Sequence, residues 1–205
     1  MKMRLVRFHI IHVLVGAVLV AAGVFILDRY CPPSGLGLTS SQRNVYRLKN
    51  RTSLPQASDF DPQATLTSIL QPGNDQSRWS QARAARVEGY VVSIGRAGIE
   101  MAQCYSPCRR DIHINLASRM EAPASEQMVL EVSPYLERMM AAQGVDWSEK
   151  KLKETLLGRW VRFEGWLFFD VGHDEESTNT YREGSNLWRA TAWEIHPITR
   201  IEVIR

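Results

Sequence analysis

The sequence predicts a mainly β protein of the α+β kind, a five-stranded barrel with a helical insertion, held behind one N-terminal transmembrane helix. Three observations carry that reading. An apolar run near the N-terminus follows a cluster of basic residues, five later stretches are rich in β-branched and aromatic residues, and two segments of helical spacing separate the third stretch from the fourth. The chain has 205 residues, so the part beyond the apolar run is the size of one ordinary domain with its own core.

Lys2, Arg4 and Arg7 precede an apolar stretch over residues 10–27 that is broken only by His12 and by small residues. A bilayer core needs roughly 20 helical residues, and tilt or snorkelling absorbs a small shortfall, so residues 5–27 read as a membrane anchor within segment 1–29. Basic residues ahead of a span stay cytoplasmic. The expectation is a single-pass protein of a bacterial-type inner membrane, with a cytoplasmic N-terminus and a periplasmic C-terminal domain. The rival reading is a cleaved signal peptide. Against it, the run is longer than the usual apolar stretch of a signal, and the small cluster Ala21-Ala22-Gly23 lies inside it. Asp28-Arg29-Tyr30 ahead of Cys31 is not a lipidation box.

Residues 30–60 read as a flexible tether: Pro, Gly and Ser come first, then a basic patch of Arg43, Arg47, Lys49 and Arg51 that is either solvated or held near anionic headgroups. The folded domain is placed at 61–205. Asp61 with Pro62 opens a short helix, Leu66, Ile69 and Leu70 form its apolar stripe, and Pro72-Gly73 closes it. Strands are expected over residues 86–94, 111–116 and 127–132. In the second, Ile112, Ile114 and Leu116 alternate with Asp111, His113 and Asn115, which puts the polar set on the opposite face. Two helices follow, the first ending at Gly144, the second opening at Asp146 with Glu149 as its capping partner. Strands over 160–170 and 188–196 come next, and residues 201–204 add a short strand or pack across one end. Three strands, a helical insertion and two strands is the order of the OB-fold, a five-stranded Greek-key barrel.

Several segments resemble, in order, bacterial envelope proteins described as OB-fold nucleic-acid-binding proteins or lipoproteins. They are Val87-Glu88-Gly89-Tyr90-Val91, Asp111-Ile112-His113-Ile114, Leu157-Gly158-Arg159-Trp160-Val161, Glu164-Gly165-Trp166-Leu167 and the run from Arg189 to Pro197. The resemblance implies an OB barrel and single-stranded nucleic acid as ligand. The lipoproteins' lipidation box has no counterpart here.

Charge gives that ligand no help. Setting aside Lys2, Arg4, Arg7, Arg29 and Asp28 leaves 21 basic and 21 acidic residues, a neutral exported part without the excess that holds phosphate backbones. Of the three cysteines, Cys104 and Cys108 are expected to form a disulfide in an oxidising compartment, with free thiols or a metal site as alternatives.

Two constellations could bind a ligand. If Val161, Phe163, Leu167 and Phe169 fill the barrel, then Arg162, Trp166 and Phe168 share the outer face, either as a platform for stacked bases or as core beneath the Leu66/Ile69/Leu70 helix. The second set is Asp111 and His113 with Glu194 and His196. It is a structural hydrogen-bond network, a ligand contact or a divalent-metal site for phosphodiester hydrolysis. Phosphate loops, nucleophile elbows and zincin helices are absent from the sequence, and no cofactor is implied. The function expected is therefore a non-catalytic OB-fold binding module. The alternatives are an envelope protein that binds other proteins, and a metal-dependent hydrolase.

Overall fold

The structure is a computed structural model that describes residues 30–204 except 182 and 185. The predicted span at 5–27 lies outside the described residues; among those described, no helix is long and apolar enough to cross a membrane. The core is a closed barrel of β1 (Ala84–Arg96), β2 (Ile112–Ala117), β3 (Met128–Val132), β4 (Trp160–Phe169) and β5 (Trp193–Val203). Strand order around the barrel is β1-β2-β3-β5-β4, antiparallel except for the β3–β5 pair, which is consistent with an OB-like barrel. The insertion expected between β3 and β4 is present as α3 (Pro134–Ala142) and α4 (Glu149–Leu156), after α1 (Ser40–Lys49) and α2 (Leu66–Leu70) earlier in the chain.

Period-two alternation fills the interior. Val87, Val91, Ile112, Ile114, Leu116, Met128, Leu130, Val132, Val161, Phe163, Leu167 and Ile195 form one apolar cluster with Leu136, Leu152 and Leu156 from the insertion. Trp193 joins that cluster at one end, where its indole N–H donates to the Asp75 carbonyl.

Several expectations are corrected. Residues 30–60 are not a flexible tether. Thr39 caps α1 in a reciprocal capping box with Gln42, and Cys31, Lys49 and Asn50 are buried. The helix carrying Leu66 opens at Thr65, not Asp61, because the Asp61 carboxylate turns back onto the Gln63 amide while Thr65 and Ser68 cap each other. That helix joins the interior cluster through Leu66 and Ile69, whereas Trp166 is contacted by Arg51 and Ser53. The last strand begins at Trp193 and continues past Pro197 to Val203 as one element. A proline cannot donate to the ladder, but the β4–β5 register slips around Gly165, opposite this point, and absorbs it. Gly165 is required there, since a Cβ would come within 2.4 Å of the Pro197 carbonyl oxygen.

The disulfide joins Cys31 to Cys104, with Cα atoms 5.8 Å apart, and Cys108 is a free, exposed thiol. Left-handed backbone at Cys104 (φ 56°) and Tyr105 (φ 54°) turns the Cys104 side chain inward, while Cys108 four residues on is left facing solvent. The expected Cys104–Cys108 pair is therefore not formed.

Candidate functional site

The outer face of β2, β3 and β5 is where the polar halves of the alternating strands meet. His113 on β2 lies directly opposite Glu131 on β3, and the pairing of Leu130 with Ile195 brings Glu194 and His196 of β5 alongside. Asp111 sits just before β2. The structure thus gathers all four members of the polar set read from sequence, Asp111, His113, Glu194 and His196, and adds Glu131.

This face is buried. Residues 31–53 lie across it as a strap fastened at one end by the Cys31–Cys104 bond. Asn50 donates to the carbonyls of Pro33 and Ala102, and Gln103 donates to Asn50 (3.4 Å) and to Asp111 Oδ2 (2.8 Å). Lys49, at the end of α1, pairs with Glu100 at 2.7 Å. Beneath the strap, His113 Nε2 meets Glu131 Oε1 at 2.7 Å, and His196 Nδ1 lies 3.1 Å from Glu131 Oε2 and 3.3 Å from Glu194 Oε2. Arg189, fully buried, donates to Glu194 at 2.8 Å. His196 Nε2 and Asp111 Oδ1 face each other at 3.9 Å, beyond hydrogen-bond reach, and neither has a hydrogen-bond partner among the described residues.

Burial and like charge set the protonation of this cluster. Loss of solvent pushes the Asp111 carboxyl up to about 7, with Glu131 adding to the shift and His196 opposing it. Burial, then Glu131, also raises Glu194. Burial works against the charged imidazole of His113, yet the adjoining Glu131 carboxylate outweighs it and lifts His113 to about 9. The same contest raises His196 and the Lys49 ammonium. Glu131 is the exception among the acids: burial alone would raise it, but His113 and His196 hold it well below its ordinary value.

At the edge of the strap the face opens into a cleft of about 520 Å³, lined by Tyr46 and Lys49 of α1, Gly98, Glu100, His113, Asp170 and His173. His113 is the member of the buried cluster that reaches this cleft. Across from it, His173 Nδ1 meets Asp170 Oδ2 at 2.7 Å, a contact that raises His173 and, against burial, brings Asp170 down to about 2.

The aromatic pair is placed differently. Trp166 and Phe168 do occupy the outer face, as alternation required, but they are 8% and 1% exposed. The Trp166 indole donates to the Ser53 carbonyl at 2.8 Å and the Arg51 guanidinium stacks 4.7 Å above its ring, so the strap covers this side chain. Phe168 packs its edge on His196, with centroids 5.5 Å apart. Arg162 is apart from both, paired with Glu88 at 2.6 Å and Glu202 at 3.2 Å. Glu131, Asp170 and His173 were not among the site residues read from sequence, and Lys49 was read as part of a basic patch on a tether. The Thr39-Ser40-Ser41-Gln42 capping signature was the available signal for α1; Glu131, in the apolar run Met128-Val129-Leu130-Glu131-Val132, is marked only by its alternation with Leu130 and Val132.

No protein-family model matches the sequence, and no curated protein matches it. The reading of the site therefore rests on its geometry.

Proposed function

We propose that the chain is a non-catalytic binding module of OB type, anchored in the membrane by residues 5–27, with its barrel on the side away from the cytoplasm. Its ligand is a small polar molecule bearing an anionic group, held in the cleft between α1 and β2. The observation that carries this is the strap. It fills the outer face on which an open barrel would lay a strand and leaves a ligand-sized opening where His113, His173 and Lys49 converge. His113, lifted to about 9, offers a second N–H beyond the one given to Glu131, and His173 gains the same donor when protonated, which suits an anionic group. The Cys31–Cys104 bond supports an oxidising compartment.

The test is a thermal-shift and calorimetric titration of the detergent-purified full chain with citrate, inorganic phosphate and a fluorescent single-stranded oligonucleotide. Gly98 lines the cleft and a Cβ there meets nothing within 4 Å, so Gly98→Phe is the substitution chosen to block the cleft. Saturable binding of a small anion, lost in Gly98→Phe and weakened in His113→Gln, is expected. Oligonucleotide binding that Gly98→Phe leaves intact and Trp166→Ala abolishes would replace this reading with a nucleic-acid platform. Absence of binding by any of the three probes would overturn the cleft and leave a protein partner as the better account.

A further inference from the structure

We propose that Asp111, Glu131 and His196 form a site for a divalent transition-metal ion, zinc foremost, which ties β2, β3 and β5 together beneath the strap. The inference goes beyond the cleft's ligand and does not depend on it. Ligand atoms from these three side chains all lie within 4.8 Å of one another, and all three residues are buried. Two ligands about 2.1 Å from one tetrahedral ion are separated by about 3.4 Å. The 3.9 Å gap between His196 Nε2 and Asp111 Oδ1 is close to that spacing, and these two buried atoms lack a hydrogen-bond partner. A buried polar atom left this way is costly in a finished fold, and a cation between the two resolves both at once.

The surroundings are built as a metal's outer shell is built. Glu194 meets His196 Nδ1 and is itself held by Arg189, the carboxylate–imidazole arrangement that orients a ligating Nε2. Gln103 donates to the other oxygen of Asp111 and so aims Oδ1 at His196. Glu131 is braced by His113. One imidazole with two carboxylates is a borderline donor set that suits Zn²⁺, Co²⁺ or Mn²⁺ better than Ca²⁺ or Cu⁺.

The experiment uses the detergent-purified full chain carrying Cys108→Ser, which removes the free thiol as a competing ligand, stripped with chelator and titrated with Co²⁺ and Zn²⁺. One equivalent per chain is expected. Asp111→Asn and His196→Gln should each weaken binding at least 10-fold while circular dichroism reports a folded barrel. Because a change under the strap can prevent folding, zinc-edge X-ray absorption of the otherwise unchanged chain is the second arm. It should show one imidazole and oxygen ligands about 2 Å from the ion. A folded chain that takes up no ion, binding unaffected by both substitutions, or an edge spectrum with two or more imidazoles would overturn the site.

Discussion

The interior of the barrel and the strapped part of its outer face are buried alike, by opposite means. Inside, Phe163, Leu167, Ile114 and Leu130 are fully buried in an apolar cluster where each contact is non-directional and substitutions trade mainly in volume. Outside, Glu131, Glu194, His196 and Arg189 are equally inaccessible, but they are held by paired charges and a covering strap. The lesson is that burial says little about how a region will respond to change. An apolar core loses stability with every methylene removed, whereas an ionic face fails when one partner goes and tolerates loss of both.

Matched substitutions test that contrast. Phe163→Ala and Arg189→Ala should each cost roughly 3–5 kcal/mol in chemical denaturation, the first through a cavity and the second through an uncompensated Glu194. The double change Arg189→Met with Glu194→Leu should recover most of the Arg189 loss. If it falls as far as Arg189→Ala, the outer face depends on its charges and the contrast is wrong.

Cutting the strap's fastening comes next. The Cys31–Cys104 bond closes a separation of 73 residues. For a loop of that size the chain-entropy estimate is about 4 kcal/mol, an upper figure if the unfolded chain keeps structure. Cys31→Ser should lower the melting temperature and expose the amides of β2 and β3 to hydrogen exchange, while Cys108→Ser leaves both unchanged.

Acid should loosen the cleft less than this. Asp170 falls to about 2 in the fold from an ordinary value of 3.8, so the folded state favours its charged form. Its contribution, about 2 kcal/mol at roughly 1.4 kcal/mol per unit, is fully present above pH 4 and is lost as pH falls through 2. His173 has the opposite sign. Raised by the same contact, it contributes below its ordinary value of 6.5 and loses that contribution as pH rises through its folded value. A pH series of melts on wild type and Asp170→Asn should converge near pH 2. The smallest effect belongs to Arg162, whose partners Glu88 and Glu202 are both well exposed. Arg162→Ala should not move the melting temperature measurably.

What the sequence made legible follows the same division. Alternation in Ile112-His113-Ile114-Asn115-Leu116 correctly put the aliphatic side chains inside and the polar ones outside, because period two is a local property of a strand. It also put Trp166 and Phe168 on the outer face. That face's cover was not legible, since it depends on a segment far away in sequence that was read from its Pro, Gly and basic content. The same distance hid the disulfide. Cys104 and Cys108 are neighbours in sequence, but the left-handed turn at Cys104 and Tyr105 directs the first cysteine toward Cys31. Asp111, His113, Glu194 and His196 could be grouped from strand order alone. Glu131 required the β2–β3 register, which pairs it with His113.

Residues 31–53 lie over the outer face of β2, β3 and β5 and are fastened there by the Cys31–Cys104 bond. The most direct measurement is peptide mass spectrometry of the full chain, purified without reductant and alkylated before digestion. A cross-linked peptide pair containing Cys31 and Cys104 is expected, with Cys108 alone carrying the alkyl group. A Cys104–Cys108 link, or alkylation of Cys31, would contradict it.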